Sequence, residues 1–268
     1  MTDCTGVSEA PVGPGGHDEG GLNLVTAPLW VVVPAYNEAA RVGATLEALA
    51  AQTDTDFTLL VVDNGSTDAT AELARAFRGP FPTHVLVEPE KGVGCAVDTG
   101  FRHAIAHGAV HLARTDADCL PRPGWAAAAR AALVSGQGLA CGRITARRDE
   151  HGPLGRAFFR VLVVLAAAFG RLRPEHRGAQ YLAPYRMHAG NNMAITAELY
   201  QACGGMPRRP SPTDRAFLNR VRRTSSAIVH SRRMVVENST RRLAAYGVVG
   251  TARWYLERGS GVRTADPR

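Results

Sequence analysis

Residues 29–52 read LWVVVPAYNEAARVGATLEALAAQ. The run LWVVV is apolar without interruption and stops at Pro34. A strand with one wet face would alternate polar and apolar residues, so a continuous run marks a strand covered on both faces, as in a parallel sheet. After Pro34 the period changes. Val42, Leu46 and Leu49 recur at helical spacing, with Asn37 as the expected N-cap.

The same change of period repeats three times. FTLLVV predicts a second strand, and in the following DNGSTD either Ser66 or Thr67 is expected to cap the helix ATAELARAF. HVLVE predicts a third strand, followed by the helix GVGCAVDTGFRHAIAHG with Val97, Phe101, Ala104 and Ile105 inward. VHLART is the fourth. Four strand–helix units between residues 29 and 115 predict an α/β fold, a Rossmann-like, mostly parallel sheet with helices on both faces. In such sheets ligands bind outside the carboxyl ends of the strands. The chemically informative segments lie at those ends: PAYNE, DNGSTD, EPEKGVG and DADCLP.

Beyond residue 125 the pattern loosens. GLACGRITA and NNMAIT predict strands, and AELYQACGG predicts a helix stopped by glycine. TDRAFLNRVRR is amphipathic, SAIVHSRRMVVEN is a strand or hairpin arm, and residues 240–259 predict a final helix. The apolar stretch 157–170, AFFRVLVVLAAAFG, falls short of the ~20 residues that cross a bilayer. It predicts either a buried core helix or a helix resting on a membrane surface. The organisation expected is one domain over 24–260, with a regular first half (24–125) and a looser second half (126–260). A disordered polar leader (1–23) and a tail (261–268) flank it.

The chain has 268 residues and a net charge of +7, and Lys91 is the only lysine among 31 basic residues. An arginine-rich surface suits phosphates or an anionic membrane, or is a solvated face. Aromatic residues make up 6% of the chain and no nucleic-acid module is recognisable, which argues against a base-stacking partner. Five scattered cysteines without a CxxC pair predict reduced, buried thiols and a cytoplasmic location, and the arginine pairs with the 157–170 helix favour peripheral attachment at the inner face of the membrane.

Asp116 and Asp118 close the fourth strand, one residue apart. Carboxylate oxygens are hard ligands suited to Mg²⁺ or Mn²⁺ shared with substrate phosphates. A lone pair of acids is weak evidence, because helix capping explains one of them. The combination says more. VVVPAYNEAARVGATLEALAAQ, LLVVDNGSTDATAELA, EKGVGCAVDTGFRHA and RTDADCLPRPGW resemble, in order and spacing, the nucleotide-sugar-binding half of family 2 glycosyltransferases. AGNNMAITAELYQACGG resembles their acceptor-side segment, so the resemblance runs from residue 29 to about 220.

The resemblance implies a GT-A fold and a metal-dependent transfer of sugar, with inversion, from a nucleotide-diphosphate sugar to an acceptor hydroxyl or phosphate. The acceptor stays open between a lipid phosphate, a growing glycan and a small metabolite, with the arginine pairs and the 157–170 helix favouring an anionic or membrane-bound, lipid-linked one. It implies that Pro34, Ala35, Tyr36 and Glu38 line a nucleoside pocket, with Asp63 accepting a hydrogen bond from base or ribose and Asn64 beside it. Lys91 lies near the nucleotide, Asp116 near ribose or metal, and Asp118 holds Mg²⁺ or Mn²⁺ on the diphosphate. Gly190, Asn191 and Asn192 fall on the acceptor side. Asp214 is the expected catalytic base, although a carboxylate in a first helical turn also suits the helix dipole.

Two departures stand out. Thr213 replaces the usual glutamate before Asp214, and the third helix lacks an arginine that many relatives carry, for which Arg114 or Arg143 is a candidate substitute. These departures leave open a non-catalytic nucleotide-sugar-binding or assembly protein. His188 and His230 are not counted as metal ligands, since a lone histidine is more often an ordinary core or surface residue. An NAD-binding dehydrogenase is disfavoured, because KGVGCAVDTG lacks the third glycine and follows the third strand instead of the first.

Overall fold

Alternate residues of the first strand enter two different cores, which is why its apolar run has no polar break. A computed structural model describes residues 28–150, 152–208 and 213–241 together with Gly247. In it, strand β1 (Leu29–Ala35) sends Leu29, Val31, Val33 and Ala35 into a cluster with Leu46, Leu49, Trp125 and Leu133. Trp30 and Val32 point the other way, towards Val97, Phe101, Tyr200 and Phe217. The two-residue period of a strand divides one apolar run between two packed layers.

Helix α1 (Val42–Ala50) follows, then β2 (Thr58–Asp63), α2 (Thr70–Ala76), β3 (Thr83–Val87), α3 (Val93–Ala106) and β4 (His111–Thr115). β1 pairs in parallel with β2 and β4, and β2 pairs in parallel with β3. The spatial order β3-β2-β1-β4 brings the carboxyl ends of all four strands to one edge. The chain continues through β5 (Leu120–Pro121), α4 (Trp125–Val134), β6 (Leu139–Ala146), α5 (Pro153–Leu172) and a 3-10 turn at Pro174–His176. The last strands and helices with described bounds are β7 (Asn192–Thr196), α6 (Ala197–Ala202), α7 (Thr213–Thr224) and β8 (Ile228–Asn238). β7 joins the sheet antiparallel to both β4 and β6, and the full order of eight strands is β3-β2-β1-β4-β7-β6-β8-β5. The two halves of the chain therefore share one mixed sheet. Cys95, Cys119, Cys141 and Cys203 are free and buried. The expected leader, tail and most of the final helix lie outside the described residues.

Three local expectations are corrected. Asn37 does not cap α1, which begins five residues later with no side-chain cap. Asn37 instead takes a left-handed φ of 52° and accepts from the Thr67 amide at 2.8 Å, joining the loops after β1 and β2. Neither Ser66 nor Thr67 caps α2; Asp68 accepts from the Thr70 amide at 3.1 Å, an Asx-type turn. The 157–170 stretch is part of a longer helix, α5, of 20 residues, which is long and apolar enough to cross a membrane. Pro153 occupies its first turn, where a missing N–H costs nothing. The helix runs on through Gly170, where a Cβ would stand 2.8 Å from the Tyr185 ring. Nor is α5 a core helix, since within it only Phe159 and Gly170 are buried.

Helix α3 lies on β1 and β2 through Gly100. A Cβ there would stand 2.6 Å from Val32 Cγ1 and 2.8 Å from Val62 Cγ2. On an open helix face, replacing glycine by alanine gains about 0.5–1 kcal/mol. In this position overpacking reverses the sign, and Gly100→Ala should cost about 1–3 kcal/mol. Urea unfolding monitored by circular dichroism checks this; a raised midpoint would contradict the packing described.

Candidate active site

The four parallel strands end in polar loops that hold one another by side-chain-to-backbone hydrogen bonds. Pro34 and Ala35 finish β1, and both are buried. Asp63, the last residue of β2, accepts from the Ser66 amide at 3.2 Å and closes a tight turn through Gly65 at φ 71°. Asn64 donates to the carbonyls of Glu88 and Glu90 at 2.9 and 2.7 Å and accepts from the Gly92 amide at 2.7 Å. Its amide group thus shapes the loop after β3. Lys91 crosses from that loop to the Asn64 and Gly65 carbonyls at 2.9 and 2.7 Å, with its ammonium 4.2 Å from the centroid of the Tyr36 ring. Tyr36, Asp63, Asn64 and Lys91 therefore form one wall, built from three strand ends.

The second wall centres on Arg114. This arginine of β4 has a side chain only 2% exposed. Its Nε lies 2.9 Å from Asp116, and its Nη1 lies 3.0 Å from Asp214 in the first turn of α7. A guanidinium kept from water needs charged or hydrogen-bonding partners, and its planar fork can serve two carboxylates at once. Residues a hundred positions apart in sequence thus converge. Burial pushes the Asp116 carboxyl above the usual carboxylate range, against the pull of Arg114. The backbone leaves room for this convergence. At Gly190 a Cβ would stand 2.2 Å from the Asp214 carboxyl, and at Gly94 it would meet the Pro207 carbonyl at 2.4 Å and Thr213 Cγ2 at 2.7 Å. Thr213 is buried, with its methyl turned to α3.

Asp118 faces a third group. Its Oδ2 is 3.0 Å from an Arg241 nitrogen, while Arg241 also donates to both oxygens of Glu38 at 2.8 and 2.6 Å. Glu38 is buried, and its amide donates to Thr70 Oγ1 at 2.8 Å. Arg241 thus ties the loop after β1 to the Asp116–Asp118 turn. Among the described residues, no three His, Cys, Asp or Glu side chains group to hold a metal ion. Asp118 as one carboxylate donor fits a divalent cation that takes its remaining ligands from a diphosphate and water, the common arrangement for Mg²⁺.

The acceptor-side residues divide. Asn191 donates to Asn238 and, at 3.2 Å, to Cys119 Sγ, next to Asp118. Asn192 is fully buried; it accepts from Trp125 Nε1 at 2.8 Å and donates to the Arg143 and Met234 carbonyls at 2.9 and 3.2 Å. Its polar atoms thus fasten β7 to β6, β8 and α4. Arg114, a candidate substitute for the missing arginine, is engaged by Asp116 and Asp214. Sequence inspection missed Arg241 as a site residue, and no local signal marks it, since its partner Glu38 lies 203 positions away.

His188 borders the site, and its Nε2 is buried without a hydrogen-bond partner. Burial holds its imidazole down at about 4, although the nearby Asp214 carboxylate pulls the other way; His230 and Arg114 add to the depression.

The profile of "Glycosyl transferase family 2" matches residues 30–195, more than half of the chain. Glycosyltransferase AglE of Haloferax volcanii is 39% identical over 99 residues, 35% of this chain and 32% of that protein, so the chain spans about a third of this relative's length. Mannosyltransferase PcManGT from Pyrobaculum calidifontis, solved with GDP-Man and Mn²⁺, superposes with a TM-score of 0.57 at 22% identity over 89% of this chain and 66% of that one. Glucosyl-3-phosphoglycerate synthase from Mycobacterium tuberculosis, solved with Mn²⁺, UDP and glucosyl-3-phosphoglycerate, gives 0.54 at 23% identity over 95% and 88%. At such identities the likeness to the two structures is one of fold.

A pH dependence follows from His188. An unfolded imidazole takes up its proton near 6.5, whereas the folded one waits until about 4. The unfolded state therefore binds the extra proton between these values, and stability present above pH 6.5 drains away as pH falls towards 4. Between pH 7.5 and 4.5 the natural chain should lose about 2 kcal/mol more than His188→Asn, measured by urea unfolding. Equal losses would show that His188 protonates freely in the folded protein.

Proposed function

We propose, from the premise that this chain belongs to glycosyl transferase family 2 and has its GT-A fold, that it moves a sugar from a nucleotide-diphosphate sugar to an acceptor hydroxyl with inversion. The observation that carries this reading is the shared guanidinium of Arg114, which brackets Asp116 on the donor side and Asp214 on the acceptor side. The wall of Tyr36, Asp63 and Lys91 suits a nucleoside: an aromatic face, a carboxylate acceptor and a cation in one loop cluster. The structures of PcManGT and of glucosyl-3-phosphoglycerate synthase, which hold GDP-Man or UDP together with Mn²⁺, support a nucleotide donor and a divalent cation here.

The chemistry assigned to the chain's own residues is one displacement. Asp214 takes the proton of the acceptor hydroxyl as its oxygen bonds to the anomeric carbon from the face opposite the diphosphate. The bond from that carbon to the diphosphate oxygen breaks, and the nucleoside diphosphate leaves with the electron pair. Because attack and departure are in line, the anomeric centre inverts. Arg114 keeps Asp214 oriented, and Gly190 lets the carboxylate lie against the chain. Bound at Asp118, Mg²⁺ or Mn²⁺ would neutralise charge gathering on the departing diphosphate. Arg241, which now pairs with Asp118, would exchange this partner for diphosphate oxygens.

One observation favours the non-catalytic alternative: the position before Asp214 carries a buried Thr213 and supplies no second carboxylate. A single experiment separates the two. The purified chain is offered UDP- and GDP-sugars with Mn²⁺ and a panel of hydroxyl acceptors. Asp214→Asn should lower turnover by roughly 10²–10⁴-fold while the thermal shift given by nucleotide and Mn²⁺ persists. Asp118→Ala should remove the Mn²⁺-dependent part of that shift. Nucleotide binding by the natural chain with no transfer to any acceptor would point to the non-catalytic protein.

A further inference from the structure

Helix α5 presents an apolar face to solvent that nothing in the described residues covers. Leu154, Val161, Val164, Leu165, Phe169 and Leu172 are each at least half exposed, from 50% for Leu165 to 87% for Leu154. At 3.6 residues per turn these six occupy an arc of about 140° on one side of the helix. The two buried residues, Phe159 and Gly170, fall on the opposite side, where the helix rests on β6 and the Tyr185 ring. Helices of globular proteins normally turn their apolar stripe inward and their polar face outward; this one is apolar outside as well.

Charge identifies the occupant. Arg160 and Arg171, both exposed, fall together on one flank of the apolar arc by the same helical period, with Arg156 further round the helix. Arg173, Arg177 and Arg186 follow within the next turn and loop, and between residues 152 and 190 the sequence has six arginines against one acidic residue, Glu175. An apolar stripe bordered by cations is the pattern of a helix lying in the plane of an anionic bilayer, its apolar face at the acyl boundary and its arginines among the headgroups. An antiparallel symmetric pairing of two copies through this face would bring the arginine-bearing flanks of both copies to the same side. A spanning orientation would strip Phe159 and Gly170 from the domain and take Arg160 into hydrocarbon.

We propose that α5 is an in-plane docking helix that holds this protein on anionic phospholipid membranes. The helix is coupled to the rest of the molecule and is no loose appendage. Tyr185, which packs on Gly170, stacks on His176 with ring centroids 3.8 Å apart. Arg222 of α7 donates to the Ala183 and His176 carbonyls at 2.9 and 3.0 Å. The docking surface is thereby fastened to the helix whose first turn carries Asp214. Docking stands apart from the sugar-transfer reading, because the test needs neither donor nor acceptor.

The test is co-sedimentation of the full chain with vesicles of phosphatidylcholine alone or mixed with phosphatidylglycerol. The natural chain should pellet with the mixed vesicles, and the bound fraction should fall as NaCl rises. Val164→Ser/Leu165→Ser/Phe169→Ser, all exposed positions, should weaken partitioning about tenfold or more with an unchanged melting temperature. Arg160→Gln/Arg171→Gln should reduce the preference for phosphatidylglycerol by about tenfold. Should the apolar variant fold poorly, Phe169→Trp gives a second measure: its emission should shift to the blue when mixed vesicles are added. A natural chain that stays in the supernatant with both vesicle types would overturn the proposal. So would a dimer in sedimentation that the apolar substitutions dissociate, since a second copy would then cover the face.

Discussion

A guanidinium that water cannot reach sets the geometry of this protein. Arg114 lies at the end of a central strand, 2% exposed, and such a charge is tolerable only with carboxylates at hydrogen-bonding distance. One partner, Asp116, comes from the same strand end. The other, Asp214, must be delivered by a helix a hundred residues later. Meeting that demand fixes where α7 begins, with its first turn against Gly94 and Gly190, positions at which a Cβ would meet Thr213 or the Asp214 carboxyl. The acidic pair on the strand and the candidate base on the helix are therefore parts of one electrostatic arrangement. Loss of the guanidinium would leave two carboxylates facing each other across the site.

The loops around this pair are held by polar side chains whose hydrogen bonds run to backbone atoms. Asn64 bridges the loops after β2 and β3, and Asn37 bridges those after β1 and β2 at the cost of a left-handed backbone. Loop backbone groups near a buried sheet edge need such partners, because water is scarce there. The outcome is a set of loops tied to one another at the strand ends, with Arg241 pairing both Glu38 and Asp118. This pre-ordering limits the conformational entropy that binding a nucleotide would cost.

Helix α5 follows a different physical rule from the rest of the molecule. Strands β1, β2 and β4 bury every apolar residue they carry, and the edge strand β3 leaves Val87 exposed, whereas α5 leaves most of its own apolar residues in water. Its composition alone does not distinguish a core helix from a surface one, because both are rich in leucine, valine and alanine. What distinguishes them is where the helix meets the sheet, and here that contact is a narrow stripe around Phe159 and Gly170.

Much of the fold was legible in the chain. The continuous apolar run LWVVV and the largely apolar FTLLVV and VHLART mark strands covered on both faces, and the helical spacing between them implies the parallel crossovers that lie between the β1–β4 strands. Polar motifs immediately after those runs placed Tyr36, Asp63, Lys91, Asp116 and Asp118 at one sheet edge, because parallel strands share a direction. Helix caps were misjudged at Asn37 and at Ser66 or Thr67: a polar side chain beside a helix start can equally well reach a neighbouring loop, and only the neighbour decides. The same holds for Asn192, buried under Trp125, for Arg241, whose partner is two hundred residues distant, and for the outward face of α5. Local periodicity is written in the order of residues. The pairing of buried charges and the choice of which apolar face is covered depend on contacts between distant segments, and those exist only once the chain has folded.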